Sequence, residues 1–166
     1  MKRYLSVILM AVLGLCLSSC AGCDEYGYVI KDGKAIYNTP ERPADQVSMI
    51  GFAVEPIETV RVGFIGLGDR GDGAINRYTY IDGVEIVALC DIEQERVEDM
   101  QKLLAERGKP AADEYYGSRD AWKQLCERDD IDLVYIVTDW VNHTPMAVYA
   151  MEHGKHVAIE VPAATS

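Results

Sequence analysis

The sequence has few positive charges and few cysteines for its length. Of its 166 residues, 16 are Lys or Arg and 27 are Asp or Glu, which gives a formal net charge of −11. A surface of this sign repels nucleic-acid phosphates, which argues against nucleic acid as a partner. The five cysteines are scattered and show neither a disulfide framework nor the spacing of metal ligands. We therefore expect no metal site, and we interpret Cys90 and Cys126 as small core residues.

The chain also lacks an apolar run of membrane-spanning length near its start. The stretch from Val7 to Leu17 is almost entirely apolar, but it is short, follows Lys2 and Arg3, and ends in small residues, as a secretory signal does. Leu17-Ser18-Ser19-Cys20 resembles the lipobox of bacterial lipoproteins, in which the cysteine is lipidated and becomes the new N-terminus. The alternative is an ordinary signal peptide with an incidental cysteine. We interpret residues 1–19 as a lipoprotein signal peptide and Cys20 as the lipidation site, which predicts an exported protein anchored to the bacterial cell envelope.

The remainder divides into an arm and one domain. Removing residues 1–19 leaves 147 residues and lowers the net charge from −11 to −13, because Lys2 and Arg3 are lost. In residues 20–58, Asp32-Gly33 suits a two-residue hairpin turn, whereas three prolines interrupt the segment after this turn. We interpret residues 20–58 as a tether and N-terminal arm, and residues 59–166 as a single domain with its own core.

Apolar runs and helical patterns alternate regularly from residue 60 onward. The predicted strands are Val60–Ile65, Val84–Leu89, a weak one at Glu114–Tyr116, Ile131–Val137 and His156–Val161. The predicted helices are Gly71–Tyr80, a segment within 92–110, one capped by Ser118, and one that begins near Pro145 and stops at Gly154. This alternation predicts an α/β fold of the Rossmann type, a doubly wound parallel sheet with helices on both faces.

A glycine-rich loop follows the first of these strands. Gly66-Leu67-Gly68-Asp69-Arg70-Gly71 fits G-x-G-x-x-G, in which the glycines permit a tight turn, close approach of a pyrophosphate, and close packing of helix on strand. Asp91 ends the next strand, 20 residues beyond Gly71, where an acid accepts hydrogen bonds from the ribose of NAD. Ile92 supplies no neighbouring cation for a 2′-phosphate, so the pattern favours NAD over NADP. The alternative is a glycine-rich turn of another α/β protein, with Asp91 as a helix cap.

Asp69 is an unusual residue for a phosphate-binding loop. Its carboxylate is unfavourable there unless it points away from the phosphates or pairs with Arg70. We expect Arg70 to offset this charge and to contact the cofactor itself.

Two segments at the ends of later strands indicate a family. "TDWVNH" (138–143) and "EVPAA" (160–164), together with "GFIGLGDRG", resemble the glucose–fructose oxidoreductase and inositol dehydrogenase (Gfo/Idh/MocA) superfamily over residues 60–166. Its dehydrogenases commonly carry Glu-Lys-Pro where this chain has Glu160-Val161-Pro162, and Pro-Asn where it has Asp139-Trp140. Both departures resemble the branch called glycoside hydrolase family 109, whose founding activity is α-N-acetylgalactosaminidase.

The resemblance implies the positions of the cofactor contacts. Asp69 and Arg70 would lie on the cofactor and Asp91 on its ribose. The nicotinamide half would be lined by Trp140, Val141, Asn142, His143, Glu160 and Val161. Three alternatives stay open: Trp140 as a core residue, His143 as a helix cap, and Glu160 as a solvated strand end. His153 and His156 are expected to face solvent.

The resemblance also implies a reaction. In family 109 the sugar is oxidised at C3, the leaving group is eliminated, water is added, and the ketone is reduced again, so NAD is regenerated. The family's catalytic tyrosine and histidine come from a C-terminal α+β domain. We therefore expect this chain to be an N-terminal portion that carries no catalytic residue and lacks that domain. The expected partners are a small carbohydrate substrate and, through Cys20, a membrane. A homo-oligomer, a conventional sugar or polyol dehydrogenase, and a non-catalytic lipid-anchored sugar-binding module stay open.

Overall fold

The computed structural model describes residues 28–37 and 44–165, in two compact units that meet in sequence between Phe52 and Ala53. The predicted signal peptide and Cys20 lie outside the described residues. In the first unit, strands β1 (Tyr28–Lys31) and β2 (Lys34–Tyr37) pair antiparallel around Asp32-Gly33. Both turn residues have positive φ, 52° and 73°. Positive φ at both positions is required by the tight turn that joins two such strands, and the predicted hairpin is confirmed.

The second unit is built on a parallel sheet of five strands. These are β3 (Val60–Ile65), β4 (Val84–Cys90), β5 (Asp113–Tyr115), β6 (Leu133–Ile136) and β7 (His156–Ile159), in the order β5-β4-β3-β6-β7. The helices are α1 (Asp69–Tyr78), α2 (Gln94–Glu106), α3 (Ala121–Cys126) and α4 (Trp140–Glu152). The chain winds outward from β3 in one direction through β4 and then in the other through β6. The predicted doubly wound fold is confirmed, and its ligand edge is the one formed by the carboxyl ends of the strands.

The core consists of two clusters that lie on opposite faces of the sheet, because successive strand residues point to opposite sides. One cluster includes Ile65, Cys90 and Ile136 and is covered by α3 and α4; the other includes Phe64, Leu89 and Val97 and is covered by α1 and α2. Cys90 and Cys126 are both buried, as predicted. Burial on both faces explains why the central strands β3 and β6 are mostly apolar, whereas the edge strand β5 is exposed and polar.

Several boundaries differ from the predicted ones. Helix α1 begins at Asp69 with Gly68 as its N-cap, so Gly71 lies in its first turn instead of starting it. Helix α4 begins at Trp140, because the Asp139 carboxylate accepts from the N–H groups of Val141 and Asn142 at 3.1 and 3.2 Å. Pro145 therefore lies inside the helix and not in its first turn. The N-cap position of α3 is Asp120, whose side chain makes no capping hydrogen bond, whereas the Ser118 hydroxyl accepts from the backbone N–H of Asp120 at 3.2 Å. Strands β6 and β7 are shorter than predicted.

Candidate cofactor-binding site

The three glycines of the loop between β3 and α1 have different structural roles. At Gly66, φ is +94° and a Cβ would lie 2.4 Å from the carbonyl oxygen of Val137; at Gly71 it would lie 2.2 Å from that of Gly66. These two glycines let the chain turn tightly against the loop after β6 and pack α1 on β3. Gly68 has an ordinary φ of −70°, and the nearest atom to its Cβ position is Arg96 Nη1 at 3.7 Å. The space above Gly68 is a cradle that a Cβ would partly fill, which fits the close approach of a phosphate.

Asp69 and Arg70 are both exposed in the first turn of α1. Within residues 28–37 and 44–165 there is no ion pair between them, so the pairing offered as one explanation for Asp69 is not observed. Its position gives another reason: a carboxylate in the first turn of a helix interacts favourably with the helix dipole. Arg70 makes no side-chain hydrogen bond to the described part of the chain, which leaves its guanidinium available in the cleft.

The Asp91 carboxylate ties the glycine loop to the end of β4. It is buried, and it accepts from the backbone N–H groups of Leu67 at 2.7 Å and Glu93 at 3.0 Å. Glu93, not Asp91, is the N-cap of α2. Each carboxylate oxygen has a second lone pair, so these bonds leave capacity for a ribose hydroxyl. Contact with the ribose stays a prediction.

The loop after β6 leads directly into α4, whose first two residues present apolar side chains at the ligand edge. Trp140 is 62% exposed and Val141 is 72% exposed, so Trp140 does not pack in the core of the described unit. Asn142 donates through Nδ2 to Asp139 Oδ2 at 2.6 Å. This bond, together with those from the backbone, lowers the pKa of Asp139 and keeps the cap ionised.

His143 joins this loop to the one that follows β7. Its side chain is fully buried, with Nδ1 2.9 Å from the carbonyl oxygen of Pro162 and Nε2 3.1 Å from that of Thr138. Both partners are acceptors, so the ring lies between two carbonyl oxygens, and the tautomer decides which nitrogen donates. The helix cap is Asp139. His143 is therefore a bridge between the two loops, and its contact with a cofactor stays a prediction.

Glu160 and Val161 follow β7. Glu160 is half-buried and accepts from the Tyr135 hydroxyl at 3.0 Å, so it is more than a solvated strand end. Burial, and then this hydrogen bond, raise the pKa of Tyr135, which keeps the phenol protonated as a donor. Val161 is 81% exposed. His153 and His156 are exposed, as predicted.

Two cavities lie along the glycine loop at this edge. One, of about 660 Å³, includes Gly68, Asp69, Arg70, Trp140, His143, Glu160 and Val161 in its lining. The other, of about 600 Å³, includes Gly66, Gly68, Asp91 and Asn142. Gly71 and Val141 line neither. The fold therefore brings ten of the twelve predicted contact residues to one divided cleft.

A family model described as an oxidoreductase family with an NAD-binding Rossmann fold, Gfo/Idh/MocA, matches residues 60–166. The chain belongs to this family. Its relatives include the glycosyl hydrolase family 109 protein 1 of Bacteroides thetaiotaomicron, 54% identical over 95% of this chain and 34% of the relative. They also include an α-N-acetylgalactosaminidase of Bacteroides fragilis, 59% identical over 72% of this chain and 28% of the relative. The chain thus spans about a third of the length of these curated relatives.

A solved structure supports the same assignment. The myo-inositol dehydrogenase of Lactobacillus casei, crystallised with NAD(H) and myo-inositol, superposes with a TM-score of 0.56. It is 30% identical, and the match covers 65% of this chain and 30% of that one. The Gfo/Idh/MocA domain of this chain uses NAD as its cofactor, and the cradle above Gly68 and the carboxylate of Asp91 fit that group.

Sequence reasoning missed some residues of the Gfo/Idh/MocA site. Val137, Thr138 and Arg96 each line both cavities. Arg96 does not follow Asp91 directly, since that position is Ile92, and so it does not stand out beside the ribose acid in the sequence. The signal that could have found it is its place one helical turn further on, in the first turn of α2.

Other parts of the described chain offer no competing site. A third cavity, of about 450 Å³, lies at the amino end of β4 and has none of the predicted residues in its lining. No cluster of His, Cys, Asp or Glu suited to a metal occurs in residues 28–37 and 44–165. In the same ranges, none of the helices has the length and apolar character of a membrane span.

Proposed function

We propose that the whole protein is a glycosidase that cleaves α-N-acetylgalactosaminides, or similar sugars, with NAD as a recycled cofactor. The observation that carries the proposal is Val161, which stands exposed at the ligand edge where dehydrogenases of the superfamily commonly carry a lysine. Valine neither donates a proton nor polarises a carbonyl. The 59% identity to a protein named α-N-acetylgalactosaminidase supports the same branch.

Bound NAD supplies reversible hydride transfer, so that oxidation, elimination, addition of water and reduction sum to hydrolysis. The described residues prepare the site for this chemistry. The open backbone at Gly68 and the N-terminus of α1 would hold the pyrophosphate. Asp91 would orient the adenosine ribose. His143 fixes the loops after β6 and β7 relative to each other, and Tyr135 fixes Glu160 between them.

The test uses the full-length protein with stoichiometric NAD and a chromogenic α-N-acetylgalactosaminide. We expect release of the chromophore without net accumulation of NADH. In Asp91→Ala, we expect NAD affinity to fall about tenfold or more, because a charged hydrogen-bond acceptor is lost. Chromophore release should then fall at limiting NAD and recover at excess NAD. The matched control is Asp129→Ala, which removes an exposed carboxylate that lies outside both cavities.

A conventional sugar or polyol dehydrogenase is the second candidate, and the 30% identity to an inositol dehydrogenase favours it. Stoichiometric formation of NADH from a free sugar, without chromophore release, would support it and contradict the glycosidase. If NAD binds and neither reaction occurs, the non-catalytic sugar-binding module replaces both.

We further propose that the protein is exported and anchored to the cell envelope through lipidated Cys20. The support is the order of basic residues, apolar run and Leu-Ser-Ser-Cys in residues 2–20. A redox-neutral enzyme suits this location, because it needs to retain one cofactor molecule and not a supply of oxidised cofactor. Labelling of cells with a clickable fatty acid should mark the wild-type protein and not Cys20→Ala. Equal labelling of both would show that Cys20 is not the acceptor.

A further inference from the structure

The cleft contains more carboxylates than an anionic cofactor favours. Its lining includes Asp69, Asp72, Asp91, Asp99, Asp120, Asp139 and Glu160. Its arginines are Arg70, Arg96 and Arg119. The pyrophosphate of NAD is negatively charged, so its binding depends on where these cations are placed.

Arg96 lies at the junction of the two cavities. Of the three arginines, it alone contributes to both linings within the described part of the chain. Its Nη1 is 3.7 Å from the position that a Cβ would take at Gly68, and 3.6 Å from Asp91 Oδ2. The guanidinium therefore lies between the phosphate cradle and the carboxylate expected to bind the ribose.

The donors of Arg96 are not used by its neighbours. The separation from Asp91 is too long for a hydrogen bond, and the residues in 28–37 and 44–165 offer its guanidinium no other acceptor within hydrogen-bond distance. Its side chain is 52% exposed, whereas that of Asp91 is 5% exposed. A guanidinium presents its donors in a planar fork that matches two phosphate oxygens.

We propose that Arg96 is a cofactor-binding residue that donates to the adenosine-side phosphate of NAD while it offsets the charge of Asp91. This inference deepens the proposed function, since it rests on NAD as the cofactor of the same cleft. It places a cation near the ribose site that is not the residue directly after Asp91, which is Ile92.

The test is equilibrium binding of NAD, ADP and adenosine to the full-length protein without substrate. Arg96→Ala should lower the affinities for NAD and ADP by about tenfold or more, because a charged hydrogen bond to phosphate is lost. The affinity for adenosine, which has no phosphate, should stay nearly unchanged. Arg96→Lys should recover part of the ADP affinity. Arg107→Ala is the matched control, since Arg107 directly follows α2, lies outside both cavities and donates to Asn76 Oδ1 at 3.0 Å, so its loss should not affect the affinity for any of the three ligands.

If Arg96 only holds Asp91 in place, Arg96→Ala should lower the affinities for adenosine and ADP equally, and this outcome would overturn the proposal. An unchanged affinity for ADP in Arg96→Ala would overturn it as well. Failure of the wild type to bind ADP or NAD would overturn both this proposal and the proposed function. Absence of glycosidase activity with normal NAD binding would contradict the proposed function alone. The thermal midpoints of the ligand-free variants confirm that each is folded.

Discussion

At the scale of single residues, the glycine loop separates the requirements of folding from those of binding. Gly66 and Gly71 face backbone atoms of the chain itself, whereas Gly68 faces open space. A pattern of three glycines does not distinguish these roles. The structure distinguishes them, because Gly66 lies against the loop after β6 and Gly71 lies against Gly66, whereas Gly68 is open to a ligand.

Gly68→Ala and Gly66→Ala are therefore expected to behave differently. Alanine at position 68 meets only ordinary contacts, so the free energy of unfolding should change by no more than about 1 kcal/mol. The added methyl group occupies the phosphate cradle, and NAD affinity should fall roughly tenfold or more. Alanine at position 66 combines positive φ with a backbone overlap and should lower the free energy of unfolding by at least about 2 kcal/mol. Chemical denaturation measures the free energy of unfolding of both variants, and NAD titration measures their affinities for the cofactor. Equal destabilisation by the two would contradict the assignment.

The two buried thiols give a second prediction at this scale. Burial raises the pKa of Cys90 and that of Cys126 to about 12 in each case. The thiolate is the reactive form, so both should resist alkylation by iodoacetamide at neutral pH in the native protein. Mass spectrometry of the two cysteine-containing peptides, with a denatured sample as the control, checks this. Rapid native alkylation of either would mean that the first core cluster opens readily.

At the scale of elements, one ion pair holds the amino ends of two central strands together. Asp132, directly before β6, accepts from the backbone N–H, Nε and Nη2 of Arg61 in β3 at 2.9, 2.9 and 2.7 Å. The hydrogen bond to Arg61 lowers the pKa of Asp132 from its ordinary value of 3.8. A carboxylate with a depressed folded-state pKa stabilises the fold above its unfolded-state pKa, and this stabilisation is lost as the pH falls through the folded-state value.

Asp132→Asn should therefore lower the denaturation midpoint at neutral pH. Its stability curve should converge with that of the wild type as the pH falls below about 4, where the wild-type carboxyl also becomes neutral. Urea denaturation at a series of pH values measures the difference. Asp129→Asn, which removes an exposed carboxylate nearby, is the matched control. A difference between Asp132→Asn and wild type that does not depend on pH would show that charge is not the cause.

The elements also show how far the sequence predicts this fold. Apolar runs locate four of the five strands of the parallel sheet, and β3 matches its predicted bounds at both ends, because strands buried on both faces are mostly apolar. The fifth, β5, is a short edge strand of sequence Asp-Glu-Tyr and carries no apolar run. Helix starts were less accurate. The preference of proline for a first turn predicts a start near Pro145, yet the Asp139 side chain caps a helix that begins at Trp140, five residues before Pro145.

The candidate site was predictable wherever a motif is contiguous. The glycine loop, Asp91 and the segments after β6 and β7 follow from strand ends in a doubly wound sheet. The bridge by His143 was not predictable, because it depends on which loops meet across the edge. Its partner Pro162 is 19 residues away along the sequence.

At the scale of the whole molecule, cofactor binding belongs to one of the two units. Every residue of both cavities and of both core clusters lies between 60 and 161, inside the unit Ala53–Thr165. In the hairpin, Val29, Ile30 and Ile36 are 45%, 64% and 47% exposed, so these side chains bury little apolar surface.

Deleting residues 21–52 should therefore leave the affinity for NAD about unchanged. Isothermal titration of the full and shortened proteins measures this, and Gly68→Ala in the shortened protein should reduce affinity as it does in the full one. A tenfold or greater loss on deletion alone would show that the arm contributes to the cleft, because a change of about 1.4 kcal/mol in binding free energy exceeds what the loss of an uninvolved segment can cause.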